Sequence, residues 1–164
     1  MNYEYFMEKA LEEAKKSLNA GEFPVGCVIV YDNEVIAYGQ RSATEYLVNE
    51  IDHAEITALR RFSELKSRYD LNKVTLFSTL EPCLMCYGAI IISGIKKTVY
   101  AYEDVMGGGT NCDLSALKIL YKESRVSIIP GVLREKSKEL FKRFFSDSDN
   151  KYLKDTLFAK HALR

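Results

Sequence analysis

Residues 74–102 read VTLFSTLEPCLMCYGAIIISGIKKTVYAY, and this stretch decides the fold. Val74 to Thr79 is β-rich, Cys83 to Ile92 is long and apolar enough for a helix, and Thr98 to Tyr102 resumes an extended run. Upstream, Phe6, Met7, Ala10, Leu11, Ala14 and Leu18 recur at helical spacing, and Asn19-Ala20-Gly21 supplies a stop. Val25 to Tyr31 and Val35 to Gly39, separated by Asp32-Asn33-Glu34, read as a hairpin. Gln40 to Asp52 lacks periodicity and reads as a loop, and Ala54 to Leu65 returns to helical spacing. Downstream lie a Gly107-Gly108-Gly109 loop, a short helix from about Leu114 to Tyr121, a strand Val126 to Ile129 ended by Pro130-Gly131, and a closing helix Leu133 to Phe145. Ser146 to Asn150 breaks that helix before a final segment, Lys151 to Arg164. A helix between two strands joins them in parallel, so the last two strands are expected to be parallel. The order α-β-β-α-β-α-β-α-β-α predicts a three-layer α/β/α sandwich around a five-stranded mixed sheet.

Composition sets the frame. The chain's 164 residues, 47% of them apolar, suffice for one domain over 1–164 with a proper core. Its start lacks the positive and apolar regions of a secretory signal, and its longest apolar run falls far short of the roughly 20 residues of a membrane span. A cytoplasmic protein with no membrane partner is expected. There the four cysteines are poor disulfide candidates, and the close pair Cys83/Cys86 reads better as a metal or redox site. The formal charge is zero, with ten acids against four bases in 1–52 but nine bases against five acids in 134–164. That balance argues against broad nucleic-acid binding; the basic last segment is either a phosphate-touching arm or a solvated helix face.

Two short motifs carry chemistry: His53-Ala54-Glu55 at a helix start, and Pro82-Cys83-Leu84-Met85-Cys86 at a strand-to-helix junction. Alone, a CxxC is often a buried or redox pair, and a single histidine is more often structural. Together they offer one imidazole, two thiolates and a carboxylate, and three protein ligands with one open position is the pattern of a catalytic zinc. Cys83 and Cys86 share a face in a first helical turn, where the helix dipole favours thiolates. His53 and Glu55 converge only if the metal sits beyond their helix's N-terminus, which places the site at the sheet's carboxyl edge.

Glu22-Phe23-Pro24-Val25-Gly26, His53-Ala54-Glu55-Ile56-Thr57-Ala58-Leu59-Arg60 and Thr79-Leu80-Glu81-Pro82-Cys83-Leu84-Met85-Cys86-Tyr87-Gly88-Ala89 resemble the cytidine-deaminase-like superfamily. The wording is similar to the branch of bacterial tRNA adenosine deaminases and small guanine and cytosine deaminases, from about Tyr3 to Phe145. The resemblance implies zinc held by His53, Cys83 and Cys86, hydrolytic loss of an exocyclic amine as ammonia, and Glu55 as the proton shuttle; the alternative for Glu55 is a helix cap. It implies that Phe23, Pro24 and Val25 line the base pocket, with Phe23 alternatively a core residue. Asp104 corresponds to an aspartate near the nucleotide sugar, or is a turn former ahead of Gly107. Where relatives carry Gly-x-Asn, this chain has Gly39-Gln40-Arg41-Ser42. Arg41 is either a substrate contact suited to a carbonyl or phosphate, or a solvated loop residue.

The tail, residues 147–164, resembles segments that cover the site in free-base deaminases, or is a helix docked for stability. A free base, nucleoside or small nucleotide is the preferred substrate. The alternatives are wobble adenosine in tRNA and a noncatalytic zinc-binding assembly subunit. Relatives pair as homodimers, and Ile90, Ile91, Ile92 and Ile95 offer more apolar surface than one sheet face needs, so a homodimer is expected.

Overall fold

The computed structural model describes residues 1–41 and 49–164; Ser42 and the middle of the loop expected at Gln40–Asp52 lie outside the described residues. The elements run α1 (Tyr3–Asn19), β1 (Gly26–Tyr31), β2 (Glu34–Gln40), α2 (Ala54–Ser63), β3 (Val74–Leu80), α3 (Leu84–Ser93), β4 (Lys97–Tyr102), α4 (Ile119–Lys122), β5 (Ser127–Ile129), α5 (Arg134–Ser146) and α6 (Leu157–Leu163). The sheet order is β2-β1-β3-β4-β5. β1 pairs antiparallel with β2 and β3, whereas β3, β4 and β5 run parallel. The expected mixed sheet is present, and its parallel part extends one strand further than the last two.

Local chemistry explains the joints. Asn2 caps α1 by accepting a hydrogen bond from the Tyr5 N–H at 3.1 Å. The β1–β2 turn puts Asp32 and Asn33 at φ 49° and 63°, a conformation that short Asx side chains tolerate and that matches strand twist. Gly94, at φ 85°, ends α3 in the left-handed conformation.

Residues alternate between two cores. Val28, Val30, Phe77 and Val99 face α1, while Cys27, Ile29, Leu76 and Leu80 face α2 and the inner side of α3. Every residue of β3 is buried, as befits the central strand. Two strand glycines let the helices approach: a Cβ on Gly26 would lie 2.1 Å from the Ala10 carbonyl of α1, and one on Gly39 the same distance from the Ala54 carbonyl of α2. Because α2 carries His53 and Glu55 at its start, Gly39→Ala is expected to push that helix off the sheet. The obstacle is backbone, so the cost should sit at the upper end of overpacking, about 3 kcal/mol. Denaturant unfolding checks it; an unchanged midpoint would contradict this packing.

Several expectations change. The helix expected at Leu114 to Tyr121 is instead a 3₁₀ turn at Leu114–Ala116 followed by the single turn of α4. Ile90, Ile91 and Ile95 are buried in the chain's own core, leaving only Ile92 of those four strongly exposed. Of the two alternatives for the tail, the docked helix is present: Phe158 and Ala162 of α6 enter the core around Phe23 and Phe141. Outside that core, His161 Nε2 lies 2.8 Å from Glu103 Oε1, and Arg134 holds the same carboxylate. No helix among the described residues is long and apolar enough to cross a membrane.

Candidate active site

The site forms where β3 and β4 end. His53 is the N-cap residue of α2 and Cys83 that of α3; both backbones are extended and neither side chain caps its own helix. Cys83 therefore stands just before α3 rather than in its first turn, with Cys86 buried inside that turn. His53 Nδ1 lies 3.6 Å from Cys83 Sγ and 3.5 Å from Cys86 Sγ, and all three candidate ligand atoms fall within 4.8 Å of one another. A tetrahedral zinc with ordinary Zn–S and Zn–N bonds separates such atoms by about 3.6 Å, so the donor set fits that ion in type and spacing.

Electrostatics prepare the sulfurs. A hydrogen bond from Cys86 is the largest influence on Cys83 and, with His53, outweighs burial to hold its thiol at about 4. The Cys83 thiolate in turn raises Cys86, with burial adding to the effect, and raises His53. Between them the three groups carry the thiolate character a metal requires.

Glu55 is 3% exposed, and the Ser78 hydroxyl donates to its Oε1 at 3.0 Å. Burial is the main cause of its raised pKa, which brings a proton-holding carboxyl closer to neutral pH. The Cys27 thiol is fully buried and pushed well up, mainly by that burial and secondarily by Glu55, which leaves it inert.

The cysteine corner is braced from β4. The buried Glu81 carboxylate accepts hydrogen bonds from the Thr110 hydroxyl at 2.5 Å and the Asp104 N–H at 3.2 Å. The Gly109 N–H donates to the Pro82 carbonyl at 2.9 Å, and Gly108 pairs with Cys83 in an isolated bridge. A Cβ on Gly109 would stand 2.5 Å from the Leu84 nitrogen, so only glycine lets this loop lie on the corner.

A cavity of about 220 Å³ opens beside these groups, lined by Phe23, Val25, Arg41, His53, Glu55, Cys83 and Asp104 among others. It is smaller than the roughly 300–1,000 Å³ of drug-sized pockets, a size suited to one base. Phe23 is both lining and core, surrounded by Phe141, Phe144, Tyr152 and Phe158. Pro24 is buried but does not line the cavity. Asp104 lines it while accepting from the Met106 and Gly107 N–H groups, so it is also the turn former. Arg41 is 8% exposed, which overturns the solvated alternative. Tyr152, Leu153 and Phe158 of the tail complete the wall. Ser78 and Glu50 went unnoticed in the sequence; Ser78 alone had a signal, a hydroxyl on the otherwise apolar α2-facing side of its strand.

Fold and donor set together define a zinc deaminase. Residues 1–102 match the cytidine and deoxycytidylate deaminase zinc-binding region, and the chain belongs to that family, with zinc as its cofactor. It is similar to the tRNA-specific adenosine deaminase of Streptococcus pyogenes serotype M18, 37% identical over 141 residues, 86% of this chain and 88% of that protein. The tRNA-specific adenosine deaminase of Bacillus subtilis strain 168 is 33% identical over 147 residues, 88% of this chain and 89% of that one. A solved structure from studies of A-to-I editing by tRNA:A34 deaminases at the wobble position matches with a TM-score of 0.67 and 30% identity, over 83% of this chain and 98% of that chain.

Proposed function

We propose that this chain hydrolyses the exocyclic amine of a nucleobase, with His53, Cys83 and Cys86 as the zinc ligands, Glu55 as the proton carrier and adenosine in tRNA as the substrate. The observation that carries the reaction is the meeting of two sulfurs and one imidazole nitrogen at zinc spacing beside the buried Glu55. Zinc in a three-ligand site makes water nucleophilic near neutral pH. Glu55 takes one proton from the attacking water and delivers it to the ring nitrogen, then takes the second proton from the new hydroxyl and delivers it to the amine, so that the C–N bond breaks, ammonia leaves and the ring carbon keeps a keto oxygen. Its burial and the Ser78 hydrogen bond keep the carboxyl fixed for these transfers. A noncatalytic subunit would have no use for such a carboxylate.

The curated relatives favour tRNA adenosine over the free base preferred from the sequence. One observation favours the small substrate: Tyr152, Leu153 and Phe158 wall the cavity from the tail, narrowing the approach for a polynucleotide. Ammonia release by zinc-loaded protein, measured over an adenosine-bearing anticodon stem-loop and over free bases, nucleosides and nucleotides, separates the two. Conversion of the stem-loop adenosine supports the first reading, turnover of small molecules alone the second, and no release from any member refutes both.

We further propose a homodimer. With Ile90, Ile91 and Ile95 buried, the support comes from Leu84 and Ile92 on α3, which stay 61% and 59% exposed. Light scattering should return about twice the 18.7 kDa chain mass; a monomer at micromolar concentration would overturn this.

A further inference from the structure

One wall of the cavity is built around one cation. Arg41 Nη2 donates to Glu50 Oε2 at 3.0 Å, and the Tyr152 hydroxyl donates to the same oxygen at 2.9 Å. The guanidinium carbon lies 4.8 Å from the Tyr152 ring centre and 5.8 Å from that of Phe23. The two ring centres lie 5.5 Å apart, so the rings crowd neighbouring sides of the guanidinium rather than opposite faces, and among the described residues the N–H donors not engaged by Glu50 are what remains for a ligand. Glu50 is engaged twice in holding this arrangement. Arg41, Glu50, Phe23 and Tyr152 also line a second cavity of about 160 Å³, so they form the partition between two spaces.

A guanidinium carries five donors and no acceptor. A buried one penalises any ligand that leaves its donors unmatched. From this geometry, and resting on the deaminase reading above, we infer that Arg41 sets substrate specificity by requiring an acceptor oxygen on the substrate: a keto oxygen of the base or a phosphate oxygen of the nucleotide. Adenine offers only ring nitrogens, weaker and less fork-matched acceptors than a keto or phosphate oxygen, so it gains least from this wall; an adenosine substrate engages it through a phosphate.

Equilibrium binding to zinc-loaded Glu55→Ala protein, which holds ligands without turnover, tests the assignment with and without Arg41→Gln. The probes are adenine, guanine, cytosine, adenosine and adenosine monophosphate. Arg41→Gln should weaken a probe bearing a keto or phosphate oxygen by about 10- to 100-fold, the loss expected for a charged hydrogen bond, and change adenine by less than about threefold. A loss for guanine or cytosine identifies the keto oxygen; a loss for adenosine monophosphate but not adenosine identifies the phosphate. Arg41→Lys, which keeps the charge beside Glu50 but not the planar fork, should show the same ordering with smaller losses. Equal weakening of every probe, no weakening of any, or no binding by any probe overturns the inference. Absence of ammonia release from the wild-type protein with this discrimination intact would refute the proposed reaction and leave the role of Arg41 standing.

Discussion

Glu55→Ala is expected to lower ammonia release by at least about 10²–10⁴-fold while zinc content and the unfolding midpoint stay close to wild type. Glu55 sits two residues from His53 but outside the three-atom cluster, with its Oε1 taken by Ser78. One carboxyl serves several successive transfers, so the loss should exceed that of a single-step acid or base. Among the described residues the variant frees the Ser78 hydroxyl, an inexpensive orphan beside a cavity that water can enter. Turnover near the wild-type rate would show that another group carries the proton. Loss of zinc along with activity would make Glu55 a structural support of the metal site.

The second large effect is on the metal. Replacing both Cys83 and Cys86 by alanine should take bound zinc from one per chain to none, because a lone imidazole cannot retain the ion. Cys27 and Cys112 provide the control: the first is buried behind Glu55 and the second is exposed, and neither joins the cluster. Their alanine variants should keep zinc. Binding to the folded state alone stabilises it, so chelation should lower the unfolding temperature of the wild type and leave that of the double variant unmoved. Stoichiometric zinc in the double variant would show that the ligands lie elsewhere.

The chemistry was easier to read from the sequence than its surroundings. His53, Glu55, Cys83 and Cys86 announce themselves because few other roles use those residue types at those spacings next to helix starts. The strand–helix–strand pattern of 74–102 was equally plain, since β-branched runs and a long apolar segment have different periods. What failed was burial that depends on distant partners. Nothing near Ile90, Ile91 and Ile95 in the sequence reveals that α3 and the turn after it pack them into the chain's own core. Arg41 stayed open between a substrate contact and a solvated loop residue because its burial comes from Tyr152, more than a hundred positions away, and from Glu50. The tail stayed open between a docked helix and a site cover for the same reason: Phe158 docks against Phe23 and Phe141 in a long-range aromatic cluster with no local pattern.

The central claim is that the pair of helix starts holds a zinc that the chemistry requires. Its most direct test is to strip the metal, measure ammonia release on the substrate found by the screen, and then return one equivalent of zinc. The metal-free protein should be inactive while still folded, and one zinc per chain should restore turnover. Undiminished release by protein shown to be metal-free would contradict the account.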